Sequence, residues 1–72
     1  DTILNLVRNY KEIKNVESLY STPSGYKYII ILTISVDGNM STFDSHQIAD
    51  KLEKELNSLD SVYLSIIHVN PI

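Results

Sequence analysis

The chain has no cysteine, and only two glycines and two prolines among 72 residues. The absence of thiols excludes disulfides, thiolate metal sites and cysteine-based catalysis. Cationic charge is sparse as well. Lys11, Lys14, Lys27, Lys51 and Lys54 are spread singly and the formal net charge is −3, whereas a nucleic-acid binder shows a basic stripe. An RNA-binding sheet also needs exposed aromatics, and the expected central strand offers Ile and Thr instead. No nucleic-acid partner is expected. The longest apolar run, Tyr28 to Leu32, falls far short of the roughly 20 residues a membrane helix needs. It is too short and too central for a signal peptide. There is no glycine-rich phosphate loop, no histidine has an identifiable nucleophile beside it, and lone Ser and Thr residues carry no such signal, so no enzymatic activity is expected.

What is present reads as one small domain over residues 1–72. A chain this short buries only about 60% of its unfolded surface. Its core therefore needs help from a metal, a partner subunit or unusually good packing. The start, directly on a helical pattern with no initiator Met, is expected of a piece cut from a longer protein.

Asp1 and Thr2 are positioned to cap a first helix, in which Ile3, Leu6, Val7, Tyr10 and Ile13 recur at helical spacing. Val16 to Ser21 alternates as a short strand. Thr22-Pro23-Ser24-Gly25 reads as a turn, which makes a hairpin with the next strand, Tyr28 to Val36. That strand is apolar on both sides: Tyr28, Ile30, Leu32, Ile34 and Val36 on one, Ile29 and Ile31 with Thr33 and Ser35 on the other. A strand of this kind is covered on both faces. The chain's two helices can cover one face, which leaves the other for a partner. After the Asp37-Gly38-Asn39 turn, Ser41 and Asp44 have the spacing of a capping box. Ile48, Ala49, Leu52, Leu56 and Leu59 then line a helix from about Thr42 to Leu59. Near Asp60 the period changes to two. Val62, Leu64, Ile66, His68 and Asn70 share one face of a last strand, which Pro71 ends. The order helix–strand–strand–helix–strand gives one antiparallel and one parallel strand pair. This is a ferredoxin-like (metallochaperone-like) α+β sandwich, with two helices on one face of a three-stranded mixed sheet.

Both histidines occupy informative places. His46 lies in the first turn of the second helix, about 110° from the centre of its apolar stripe at ~100° per residue. Taken alone it reads as a solvated flank residue, and Asp50 one turn on as a surface charge or an acceptor for it. His68 shares a face with Leu64 and Ile66, where a polar group is costly unless bonded. Two readings stay open for it, a core histidine bonded to backbone and a metal ligand. Asn70 lies on the same face, and its carbonyl oxygen is a poor zinc ligand beside a carboxylate. Glu17 taken alone reads as surface.

Ser24-Gly25, then Tyr28 to Val36 running into Asp37, then Asp44-Ser45-His46-Gln47-Ile48-Ala49-Asp50, then Ile66-Ile67-His68-Val69-Asn70-Pro71 closely resemble the C-terminal cytoplasmic domain of the cation diffusion facilitators. These are proton-coupled zinc, iron and manganese efflux transporters. Each motif is short, but their order and spacing span nearly the whole chain. The resemblance implies the same helix–strand–strand–helix–strand order and a V-shaped homodimer whose sheets face each other near bound metal. It places the chain on the cytoplasmic face of a membrane, with the transmembrane domain of its parent as a further partner. It implies metal-ligand positions at His46 and His68. Glu17 falls where some members carry a histidine, and Asn70 where an aspartate is frequent. Thr33 stands where several zinc transporters have another histidine. The expected ligand is a divalent cation, zinc first, with iron and manganese as alternatives. A single or intersubunit site is expected rather than a full binuclear one, and a metal-free dimer stays open. The competing function is a stand-alone ferredoxin-like binding module.

Overall fold

The computed structural model describes residues 2–72, in the order α1 (Thr2–Arg8), β1 (Ile13–Ser24), β2 (Lys27–Val36), α2 (Thr42–Asn57) and β3 (Val62–Pro71). The expected Asp1 cap lies outside the described residues. The sheet order is β1-β2-β3, with β1 antiparallel and β3 parallel to the central β2. A hairpin followed by a helical crossover leaves this arrangement as the natural one. Gly25 has φ +65° and opens a two-residue loop closed by the Ser24–Lys27 pair. Glycine at that first loop position suits the twist of the flanking strands. The expected turn at Thr22–Gly25 is thus shorter, and β1 runs on to Ser24. Pro23 fits inside β1 because β1 is an edge strand, where a missing N–H breaks no ladder bond.

Both helices cover the same face of the sheet. Val7, Tyr10, Leu52 and Leu56 join Ile30, Leu32, Ile34 and Val62 in one core cluster. Leu32, Ile34, Leu52 and Leu56 are fully buried. The first apolar stripe is real but longer than its helix. α1 ends at Arg8, yet Tyr10 and Ile13 still pack with the core, Ile13 as the first residue of β1. Helical spacing persists there because a turn and a strand start happen to aim both residues inward.

β3 departs from strict alternation. Its register against β2 slips between Val62 and Leu64, so Tyr63 is an extra residue. Val62 and Ser65 are buried while Leu64 and Ile66 are exposed. Val62 therefore faces the helices, and Leu64, Ile66, His68 and Asn70 face the other way. The expected common face of Val62 with Leu64 to Asn70 is corrected by this bulge, because an inserted residue swaps all later side chains to the opposite face. Ser65 faces inward and its hydroxyl donates to Asn57 Oδ1 at 2.8 Å, so the buried polar atom is satisfied.

Tyr10, in the turn after α1, ties that segment to α2. Its buried phenol donates to Glu55 Oε1, and Lys51 Nζ lies 5.6 Å from the ring centroid. Burial first, then the Glu55 hydrogen bond and the Glu55 and Glu12 charges, push the phenol well above its usual value near 10. The raised value means the folded protein holds this proton more tightly than the unfolded chain. Its contribution is therefore complete below pH ~10 and fades as pH rises above that. Tyr10→Phe is expected to lose about 1–2 kcal/mol at neutral pH and to flatten the alkaline decline. Thermal melts between pH 7 and pH 11 check this; a variant that melts like wild type throughout removes the link.

Candidate metal centre

The turn before α2 brings helix start and strand end together. Ser41, with φ −66° and ψ 154°, caps the helix by accepting from the Asp44 N–H at 3.0 Å. Asp37 Oδ1 accepts from the Asn39 N–H at 2.9 Å. Gly38 N–H donates to the Ile72 carbonyl at 2.7 Å, and Ile72 N–H donates to the Val36 carbonyl at 3.0 Å. A Cβ on Gly38 would lie 2.7 Å from that same Ile72 oxygen, so close approach of two backbones requires glycine here.

The result is an open depression of about 600 Å³ between α2 and the end of β3. His46, Asp50 and Glu53 line its helix side, and Ile67, His68 and Val69 its strand side. β3 is an edge strand, so residues from both of its faces reach this rim. His46 and His68 are thus brought to one place, 22 positions apart in sequence. Both are exposed. The reading of His68 as a buried core histidine is overturned, because the β3 bulge turns it away from the helices. Glu53 was missed by reasoning from sequence. Its signal was there: His46, Asp50 and Glu53 stand at i, i+4 and i+7, one face of a helix.

Glu17 and Asn70 form a second pair. The register of β1 slips twice, between Ile13 and Asn15 and between Val16 and Ser18, and the second slip makes Glu17 an extra residue beside Ser18. Its carboxylate crosses to Asn70, whose Nδ2 donates to Oε1 and Oε2 at 3.1 Å each. His68 is two residues from Asn70, on the same face and level with Thr33 of β2. Among the described residues, no group of three or more His, Asp or Glu side chains converges in a way that could hold a metal. Two imidazoles and a carboxylate have suitable donor chemistry for a divalent cation. Their number within one chain falls short of the four ligands usual for structural zinc.

The face carrying these residues has two ends. Toward Pro71 it presents Glu17, Ser18, Thr33, His68 and Asn70. Toward the hairpin it presents Tyr20, Ile29, Ile31, Leu64 and Ile66, related by direct register. Tyr20 is 64%, Leu64 40% and Ile66 42% exposed. No described helix is long and apolar enough to cross a membrane.

The family model for the cytoplasmic domain of cation efflux proteins matches residues 1–72. The chain belongs to that family, as the cytoplasmic domain of a metal transporter. It is 33% identical to the metal-bound C-terminal domain of the CzcD transporter from Thermotoga maritima, over 99% of this chain and 84% of that one, with a TM-score of 0.91. The cytosolic domain of a cation diffusion facilitator family protein is 32% identical, over 100% and 87% of the two chains, with a TM-score of 0.91. A structure of CzrB shares the fold at 20% identity, over 99% of this chain and 89% of that one, with a TM-score of 0.87. No curated protein matches the chain.

Proposed function

We infer that this domain pairs two copies of its parent transporter through the open face of the sheet. A divalent cation, zinc in the first instance, favours the closed pair. The observation that carries this reading is the division of one uncovered sheet face into an apolar end and a polar, imidazole-bearing end. The helix side of β2 is sealed by α1 and α2, whereas Leu64 and Ile66 remain 40% and 42% exposed. A second copy supplies the cover that this chain lacks. The family, and the metal-bound state of the CzcD domain, support the assignment.

The proposed ligands are His46, His68 and Glu17, with Asn70 beside Glu17. One chain falls short of a complete set, so the site is shared between copies. Iron and manganese are the alternative cations. Regulation is then a matter of linkage: a cation that binds the closed pair more tightly shifts the population by that difference and no more. Ligating imidazoles must be neutral, so cation affinity falls as the solution is acidified.

Thermal scans of wild type and of His46→Ala/His68→Ala, with and without zinc, test the metal assignment. At a free zinc concentration 100 times Kd the wild type gains about 2.7 kcal/mol. In a domain of this size that raises the midpoint by on the order of 10 °C. The double variant is expected to show a small fraction of this rise. Equal rises in both proteins would leave the histidines without a role. The second reading, a dimer that binds no metal, is favoured by the incomplete ligand set of one chain. It predicts a dimer whose melting ignores zinc.

A further inference from the structure

A strand at the edge of a sheet carries backbone N–H and C=O groups that no neighbour uses. The two edges of this sheet differ in how they treat them. β1 is blunted by Lys14, Glu17 and Pro23 and by its two register slips, devices that keep a further strand from adding. β3 has its one slip near Tyr63. From Leu64 to Asn70 it holds no proline and no Lys, Arg, Asp or Glu. Among the described residues no strand lies beyond it.

The backbone bonds at Ile72 fix which groups of β3 face outward. Ile72 N–H donates to the Val36 carbonyl and Ile72 O accepts from the Gly38 N–H, so both point at β2. That direction alternates along a parallel ladder. Asn70 and His68 therefore also point at β2, and Val69, Ile67 and Ser65 point away from it. Ser65 is only 2% exposed, so its backbone is covered. Ile67 and Val69 are half-buried and line the depression beside α2. With one donor and one acceptor each, they offer it a short open ladder. Pro71, the next outward residue, has no N–H and closes the edge.

α2 supplies an acidic wall to the same depression. Asp50 and Glu53 are exposed there, and among the described residues neither carboxylate makes an ion pair or hydrogen bond. Three positions apart on a helix, they stand about 5–6 Å from each other. Alternate side chains of an extended strand are ~6.7 Å apart, which is a close match.

We propose that the cleft between β3 and α2 binds an extended basic peptide segment, added to the edge at Ile67 and Val69 as a fourth strand. Main-chain hydrogen bonds to those two residues give the affinity. Lys or Arg side chains at alternate positions meet Asp50 and Glu53 and give the selectivity. The proposal needs no metal ion in the cleft, and it leaves the open face of the sheet free for pairing.

A nuclear magnetic resonance titration of the 72-residue chain with the amidated peptide Lys-Val-Lys-Val-Lys tests this. The backbone amide signals of Ile67 and Val69 are expected to shift most. Two control peptides separate the contributions. Glu-Val-Glu-Val-Glu keeps the alternation and reverses the charge. The lysine peptide N-methylated at alternate residues, in either register, keeps the charge and blocks one ladder edge. The charge-reversed peptide and the methylated peptide of the edge-facing register are expected to bind at least about tenfold more weakly, and Asp50→Lys/Glu53→Lys to cost about tenfold, as two exposed ion pairs do. Its melting should stay within a degree or two of wild type, because both side chains are exposed. Val69→Pro removes an outward N–H and leaves the ladder to β2 intact, so it too should weaken the peptide. Equal binding by the charge-reversed peptide, or by both methylated peptides, overturns the proposal. So do shifts confined to Ile31 and Ile66 on the open face, or no shift at Ile67 and Val69.

Discussion

Leu32→Ala is expected to leave this domain largely unfolded near body temperature. Leu32 is fully buried at the middle of β2, between Leu19 of β1 and Ile67 of β3. It belongs to the cluster that holds both helices to the sheet. Truncating a buried leucine removes its transfer free energy and leaves a cavity, together about 2–5 kcal/mol. Domains have only about 5–15 kcal/mol to lose, and a chain this small, which buries a lesser share of its surface, stands near the low end. Each kcal/mol moves the midpoint of a small domain by about 4–8 °C, so a fall of tens of degrees is expected. Circular dichroism melts measure it directly. Tyr26→Ala is the control, since Tyr26 is wholly exposed at the hairpin tip and its loss should move the midpoint by no more than a degree or two, as for surface changes near ±0.5 kcal/mol. A Leu32→Ala protein that melts with the control would show that the core lies elsewhere.

Ile66→Asp separates pairing from folding. In a single chain Ile66 is 42% exposed and registers with Ile31, so an aspartate there keeps access to water and costs the monomer little. Against a second copy the same carboxylate is stripped of water without a partner, at several kcal/mol per ion. A twofold interface repeats each residue, so the penalty is imposed twice. At 1.4 kcal/mol per tenfold, the dimer should weaken by more than about a hundredfold. Sedimentation or light scattering over a concentration series reads this, with a melt to confirm that the monomer stays folded. If Ile66→Asp associates as strongly as wild type, the apolar end of the sheet is not the meeting surface, and Proposed pairing moves to another part of the molecule.

Some of this is legible in the sequence. The turn at Asp37 and the period change near Asp60 separated the central elements, because strands and helices bury their apolar residues at different spacings. Ser41 with Asp44 marked the start of α2, and the two-sided apolar character of β2 marked the centre of the sheet. The end of α1 was not legible, because Tyr10 and Ile13 continue its spacing after the helix has stopped. Nor were the faces of β3 and the reach of Glu17. Both depend on bulges, and an inserted residue carries no fixed sequence mark while it reverses which side every later residue takes.

By itself the sequence determined the element order, the helix-facing half of the core and the family motifs around His46 and His68. Those depend on local periodicity and capping, which neighbouring residues alone can specify. Only the tertiary structure decided that His68 faces outward, that it lines the same depression as His46 at the rim of an edge strand, and that Glu17 is held by Asn70. Each of these relations joins residues far apart along the chain, and their meeting is set by strand register and two backbone hydrogen bonds at Gly38 and Ile72, which no local pattern encodes.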